Sequence, residues 1–162
     1  MQEASKMINL LTEKGVSCIE ELEDRLMTLH GERLQLVEQL NDLQDRINNT
    51  SELVKLLEAY REYKPIYAEY KDVRNKEKFR KEHSKEITKY ESALKNLKEL
   101  YPGGKIPQLE SEKKKLYDMI DERNQKNKDY NSLKGELAEL ELARKSIEEY
   151  LDSQRRNNDI SH

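Results

Sequence analysis

The chain has 162 residues, of which 39% are charged and 35% hydrophobic, with a formal net charge of −3 and no tryptophan. So little apolar surface excludes a thick globular core but is enough for narrow helix–helix seams. A single cysteine, Cys18, excludes an internal disulfide and favours a reducing compartment. No stretch is long and apolar enough to span a membrane, and no secretory signal is evident. We therefore expect a cytoplasmic protein without membrane insertion.

Residues 1–16 are predicted to form a short helix followed by a turn at Gly15. The first long coiled-coil helix is predicted at residues 17–63, with Ser17 and Glu20 forming a capping box at its start. Its apolar residues recur at alternating steps of three and four, a coiled-coil pattern that argues against the disorder so polar a composition would otherwise favour. With only Arg33 and Thr50 interrupting it, this pattern comprises Ile19, Leu22, Leu26, Leu29, Leu36, Leu40, Leu43, Ile47, Val54 and Leu57.

Pro65 is predicted to end or kink this helix, because proline lacks a backbone N–H and disfavours helical conformation at the preceding residue. Residues 64–106 are predicted to form a helical, tyrosine-rich, basic tip of two or three short helices. Residues 61–101 carry 12 Lys/Arg and 8 Asp/Glu, a net +4, whereas residues 1–60 carry 6 and 12, a net −6. The tip is therefore the basic part of an otherwise acidic chain.

A turn is predicted at Pro102-Gly103-Gly104, because no helix crosses such a sequence. The second long coiled-coil helix is predicted at residues 107–155, with Pro107 at its first position, followed by a frayed tail at 156–162. Its apolar residues also alternate by threes and fours, and we expect one phase slip between Tyr130 and Leu137. The predicted seam residues of this helix are Leu109, Leu116, Ile120, Tyr130, Leu133, Leu137, Leu140, Ile147 and Leu151.

The two long helices are similar in length and joined by a compact insertion, so they can fold back on each other. The predicted fold class is all-α: a long antiparallel coiled-coil hairpin with a small helical tip subdomain. In this hairpin Leu22 lies near Ile147, and Leu57 lies near Leu109 or Lys113. Two chains pairing in parallel would leave the breaks at Pro65 and Gly103 unexplained, but the coiled coil still allows a homodimer.

The chain shows no pattern of residues typical of an active site. His30, His83 and His162 are far apart in sequence and form no metal-binding motif, and no phosphate-cradling glycine loop is present. No serine or cysteine nucleophile is paired with a plausible base. We therefore expect a chain that is not an enzyme and needs neither cofactor nor metal.

The basic tip is the candidate binding site. Basic side chains interleaved with Tyr63, Tyr67 and Tyr70 suit a nucleic-acid backbone and its bases. The competing interpretation is that these tyrosines pack the core of the tip and that the basic side chains are only solvated. On one continuous helix, Lys71, Arg74, Lys78 and Lys81 would share a face. The candidate DNA-binding residues are Arg61, Lys64, Lys71, Arg74, Lys78, Arg80 and Lys81.

Three sequence blocks carry a resemblance to a known family. They are INLLTEKGVSCIEELEDRL (8–26), LEAYREYKPIYAEYK (57–71) and KEKFRKEHSKEITKYESALKNLKELYPGGKIP (76–107). Together with the final long helix, they resemble the C-terminal region of mobilisation relaxases, the nucleases of plasmids and conjugative transposons. The family's catalytic tyrosine and histidine motifs belong to an N-terminal domain, and no tyrosine of this chain matches such a motif.

The resemblance implies a non-catalytic accessory domain of a relaxase that aids conjugative transfer. Its expected partners are DNA or accessory mobilisation proteins. The alternative function is a generic coiled-coil spacer or oligomerisation module without nucleic-acid contact.

Overall fold

The computed structural model describes residues 19–160, and within this range it contains four helices and no strand. Helix α1 spans Ile19–Asp72, α2 spans Lys76–Glu82, α3 spans Ser84–Leu100 and α4 spans Leu109–Ile160. The all-α prediction is confirmed. The predicted helix and turn at 1–16 and the capping role of Ser17 lie outside the described residues.

The chain divides into two compact units. Among the described residues, unit 1 contains 19–41 and 124–160, and unit 2 contains 42–123. Each unit includes part of α1 and part of α4, which pack against each other. The predicted antiparallel pairing of the two long helices is confirmed in each unit by the contacts below.

Unit 1 is held together by a row of aliphatic side chains that we call the leucine seam. Leu22 and Leu29 are the most completely buried members, at 0% and 1% exposure. His30 Nε2 lies 3.1 Å from Glu141 Oε1, and farther along α1 the Gln39 amide oxygen accepts a hydrogen bond from Lys126. As the contacting residue on α1 comes later in the sequence, its partner on α4 therefore comes earlier, as expected for antiparallel helices. The seam comprises Leu22, Leu26, Leu29, Leu133, Leu137, Leu140, Ala143 and Ile147, so Leu22 and Ile147 share one cluster, as predicted.

In unit 2, the corresponding contacts between α1 and α4 form a smaller apolar cluster. Leu43, Ile47 and Met119 are buried there. The polar contacts again show the antiparallel direction, because the residue numbers of the partners rise along α1 and fall along α4. These contacts are Gln44 with Arg123, Glu58 with Lys113, and Arg61 with Glu110.

The first helix is longer than predicted. It continues through Pro65 to Asp72, so the expected end at residue 63 is wrong. Pro65 has no N–H to donate to the carbonyl of Arg61, a defect that costs about 3 kcal/mol in a helix interior. The turns beyond it carry Tyr67 and Tyr70, whose rings pack against other helices of the tip. We attribute the continuation to this tertiary packing.

The second long helix differs from the prediction at both ends and in its phase. It begins at Leu109 rather than 107, and it continues to Ile160, so residues 156–160 are helical rather than frayed. The phase slip predicted between Tyr130 and Leu137 is absent: from buried Met119 through half-buried Arg123, Lys126 and Tyr130 to buried Leu133 and Leu137, the steps alternate between four and three residues.

Candidate functional site

The basic tip lies in unit 2 and is built on an aromatic cluster. The Tyr67 and Tyr90 rings stack with centroids 4.5 Å apart, and Tyr60 stacks on Tyr90 at 5.4 Å. These contacts join the end of α1 to α3. Tyr90 is buried, at 6% exposure, and burial followed by the proximity of Tyr60 raises the pKa of its hydroxyl. Of the three tyrosines proposed to face bases, Tyr67 and Tyr70 therefore contact other aromatic rings, and Tyr63 lies beside Lys89.

The same cluster holds the short helix α2, which has no buried residue of its own. The Phe79 ring lies 6.1 Å from Tyr70 and 4.5 Å from His83, between ring centroids. Asn75 caps the helix, because its side-chain oxygen accepts a hydrogen bond from the Lys78 N–H. The ring of Phe79 thus attaches α2 to the rest of the tip, Asn75 caps its first turn, and the remainder of the helix is exposed to solvent.

Arg80 fastens α2 further. Its guanidinium donates to the Tyr70 hydroxyl at 3.3 Å and to both carboxylate oxygens of Glu91, at 3.0 and 3.3 Å. The hydrogen bond to Tyr70, and then Glu91, raises the pKa of Arg80 above its ordinary value. Arg80 therefore serves as an internal tie, and its charge is balanced by Glu91. Sequence reasoning did not find Glu91, because a pairing between helices leaves no periodic signal.

Three more of the predicted DNA-binding residues also have partners within unit 2. The Arg61 guanidinium donates to Glu110 at 3.0 Å. The Lys64 ammonium lies 5.3 Å from the centre of the Tyr60 ring, and Lys71 lies 5.2 Å from that of Tyr67. These two lysines cover tyrosine faces as cation–π partners.

The remaining predicted residues behave differently. Arg74, Lys78 and Lys81 are exposed, and among the described residues their side chains form no ion pair and no ring contact. Lys76, at the start of α2, is also exposed and without such a partner in the same part of the chain. We call Arg74, Lys76, Lys78 and Lys81 the basic surface.

The expected single face for Lys71, Arg74, Lys78 and Lys81 is wrong. Helix α1 ends at Asp72 and α2 begins at Lys76, so Arg74 lies in the connection between two helices. Only Lys78 and Lys81 share a helix face, three residues apart on α2. Charge remains concentrated nevertheless: residues 74–81 contain five basic residues and one acidic residue, a net +4. Even with Arg80 balanced by Glu91, a net +3 faces solvent.

The grooves of unit 2 offer no comparable chemistry. An open groove of about 720 Å³ is lined mainly by apolar groups, among them Leu57, Pro65 and Ile106. A second groove includes Glu112, a carboxylate at 7% exposure that accepts a hydrogen bond from Lys115. Among residues 19–160, no cluster of His, Cys, Asp and Glu could hold a metal ion, and no helix could cross a membrane.

Comparison with protein-family models, with curated proteins and with solved structures found no match for this chain.

Proposed function

We propose that this chain is a non-catalytic accessory module of a DNA-mobilisation relaxase and that it contacts nucleic acid through the basic surface. The observation that carries the proposal is that some basic residues of unit 2 have side-chain partners and others do not. Arg61, Lys64, Lys71 and Arg80 contact carboxylates or tyrosine rings of unit 2, whereas the basic surface is exposed and has no such partner among the described residues. Two of the sequence blocks that resemble relaxases, 57–71 and 76–107, also make up most of this tip.

Electrostatics favour contact at the tip over the rest of the chain. The first 60 residues carry a net −6 and would repel phosphates, whereas residues 74–81 carry a net +4. Lysine and arginine side chains that are free of internal partners can neutralise phosphates and release counterions, which supplies most of the affinity in sequence-independent binding. The coiled coil then serves as the scaffold that carries the basic surface.

The second candidate function is a coiled-coil spacer or oligomerisation module. It is favoured by the inward packing of Tyr60, Tyr67 and Tyr90, which leaves fewer groups for a ligand than the sequence suggested. In this case the basic surface would serve only to keep the tip solvated.

Charge reversal at the basic surface distinguishes the two functions. The test variant combines Arg74→Glu, Lys78→Glu and Lys81→Glu. The control combines Lys55→Glu, Lys128→Glu and Lys145→Glu, three exposed positions on α1 and α4 that give the same change in net charge. Binding to a fluorescent 30-base-pair duplex is measured by anisotropy at low salt. Each lost phosphate contact weakens binding severalfold, so we expect the test variant to lose at least about tenfold in affinity and the control to lose at most about threefold.

Equal losses in the two variants would mean that only net charge matters, and undetectable binding by the unmodified chain would favour the spacer function. The relaxase assignment has its own test. A His-rich nuclease domain encoded immediately upstream of Met1 in the same reading frame supports it, and an unrelated domain there contradicts it.

A further inference from the structure

We infer that the basic surface recognises the phosphate backbone of a nucleic acid and does not read its bases. This inference rests on the proposed function and specifies the part of the ligand that is bound. It follows from the side chains of the basic surface, which are cationic and exposed and make no contact with an aromatic ring among the described residues.

Single-stranded nucleic acids are usually held by aromatic side chains on which the bases stack. Residues 60–90, which include the basic surface, contain six tyrosine and phenylalanine rings, and each of them has a partner within the chain. The Tyr63 ring is covered by the Lys89 ammonium at 5.7 Å, and Tyr67 contacts both Tyr90 and Lys71. The six rings are Tyr60, Tyr63, Tyr67, Tyr70, Phe79 and Tyr90. A base that stacked on one of these covered faces would have to displace the partner there.

The groups that do face solvent are suited to phosphate. A lysine ammonium carries three donors and no acceptor and acts as a compact point charge, so it binds phosphate without distinguishing bases. Arg80 has the planar, forked geometry that reads guanine, but its fork is occupied by Glu91 at 3.0 and 3.3 Å. Of the three arginines in residues 61–101, Arg74 is the one without an ion pair among the described residues, and it lies in a connection rather than on a groove-reading helix.

A strand without bases isolates the phosphate contribution. The full chain is titrated with a fluorescent 30-mer of thymidine and with a 30-mer of abasic tetrahydrofuran nucleotides, which carries the same phosphates. We expect the two affinities to agree within about threefold, because no base contact is lost. For about three phosphate contacts on a single strand, the logarithm of the binding constant should fall with the logarithm of salt concentration with a slope of about −2.

Tyr63→Leu provides a matched test in the protein. Its ring is half-buried and covered by Lys89, so we expect affinity for the thymidine strand to change by less than twofold. Loss of a stacked base would instead weaken binding by about fivefold or more.

The outcomes separate the inference from the function on which it rests. Abasic binding that is more than tenfold weaker, or a fivefold loss with Tyr63→Leu, overturns the inference and leaves nucleic-acid binding intact. Binding of both strands that survives Arg74→Glu, Lys78→Glu and Lys81→Glu together overturns the assignment to the basic surface. Failure of both strands to bind at 20 mM salt, a condition of about 20 Å screening length, overturns the inference, and failure of the duplex to bind as well overturns the proposed function.

Discussion

The leucine seam of unit 1 and the aromatic cluster of unit 2 stabilise the chain in different ways. The seam is aliphatic and nearly free of solvent, and Leu22 and Leu29 are 0% and 1% exposed. In the aromatic cluster only Tyr90 is buried, and the other tyrosines remain half-exposed with cations over their rings. The comparison teaches that one polar chain can use burial where two long helices meet and ring contacts where short helices pack against a long one.

The two kinds of contact also differ in magnitude. Complete burial of a leucine side chain stabilises a fold by about 1.5–3 kcal/mol. An aromatic pair adds about 0.5–1.5 kcal/mol beyond its buried area, and an exposed cation–π contact about 0.5–1 kcal/mol. Single substitutions in the seam should therefore have larger effects than single substitutions in the tip.

The largest effect is expected from Leu137→Asp in the leucine seam. Leu137 is 4% exposed, so a carboxylate at this position would be desolvated without a partner. We expect the free energy of unfolding to fall by about 4 kcal/mol, as measured by urea denaturation.

Leu142→Asp is the matched control, because Leu142 lies on the same helix but is 58% exposed. Its effect should remain within about 0.5 kcal/mol. Equal losses for the two substitutions would mean that the buried face of α4 has been assigned incorrectly.

The seam could be predicted from sequence because it depends on regular spacing. Every predicted seam leucine of α1 from Leu22 to Leu29 is buried, but Leu40 is only half-buried. In α4 the prediction followed Ile120, whereas Met119 occupies the buried position. Arg123 and Lys126 occupy the next seam positions of α4, and because they are polar, the spacing of apolar residues could not reveal this one-residue error. Apolar periodicity thus predicts the seam only where the seam is apolar.

A smaller effect, of opposite sign, is expected from Pro65→Ala in unit 2. Pro65 is exposed within α1, and alanine would supply the N–H that the Arg61 carbonyl lacks. We expect the free energy of unfolding to rise by about 2 kcal/mol, since the gain in helix stability exceeds the entropy returned to the unfolded chain.

Pro107→Ala is the control for this substitution, because Pro107 precedes α4 and lies outside any helix. It should destabilise the chain by about 0.4–1 kcal/mol through the unfolded state alone. A loss of stability with Pro65→Ala would show that the proline shapes the packing of the tip rather than merely being tolerated there.

The tip could be predicted only in outline, for a related reason. Its basic and tyrosine-rich character is visible in the sequence, but the stacking of Tyr60 and Tyr67 on Tyr90 joins residues far apart in the chain. This packing carries α1 past Pro65, where local rules favour an end. It also places tyrosine rings beside Lys64 and Lys71, whereas Lys78 and Lys81 make no ring contact among the described residues.

The smallest effect is expected from Tyr90→Phe and should appear only at alkaline pH. Burial, and then neighbouring Tyr60, raises the pKa of Tyr90 in the folded chain above its ordinary value of about 10. The folded state therefore holds this proton more tightly than the unfolded state does. The resulting contribution to stability is complete below pH of about 10 and is lost as the pH rises through the folded pKa.

Phenylalanine cannot ionise, so Tyr90→Phe should make the alkaline fall in stability shallower while changing stability at pH 8 much less. Urea midpoints of the two chains from pH 8 to 11 test this, and the difference between them cancels the ionisation of the other tyrosines and lysines. Tyr117→Phe is the control, because Tyr117 is 60% exposed and should leave the profile unchanged. If Tyr90→Phe and the unmodified chain lose stability in parallel, the Tyr90 hydroxyl is hydrated in the fold, and the aromatic cluster is more open than its ring distances indicate.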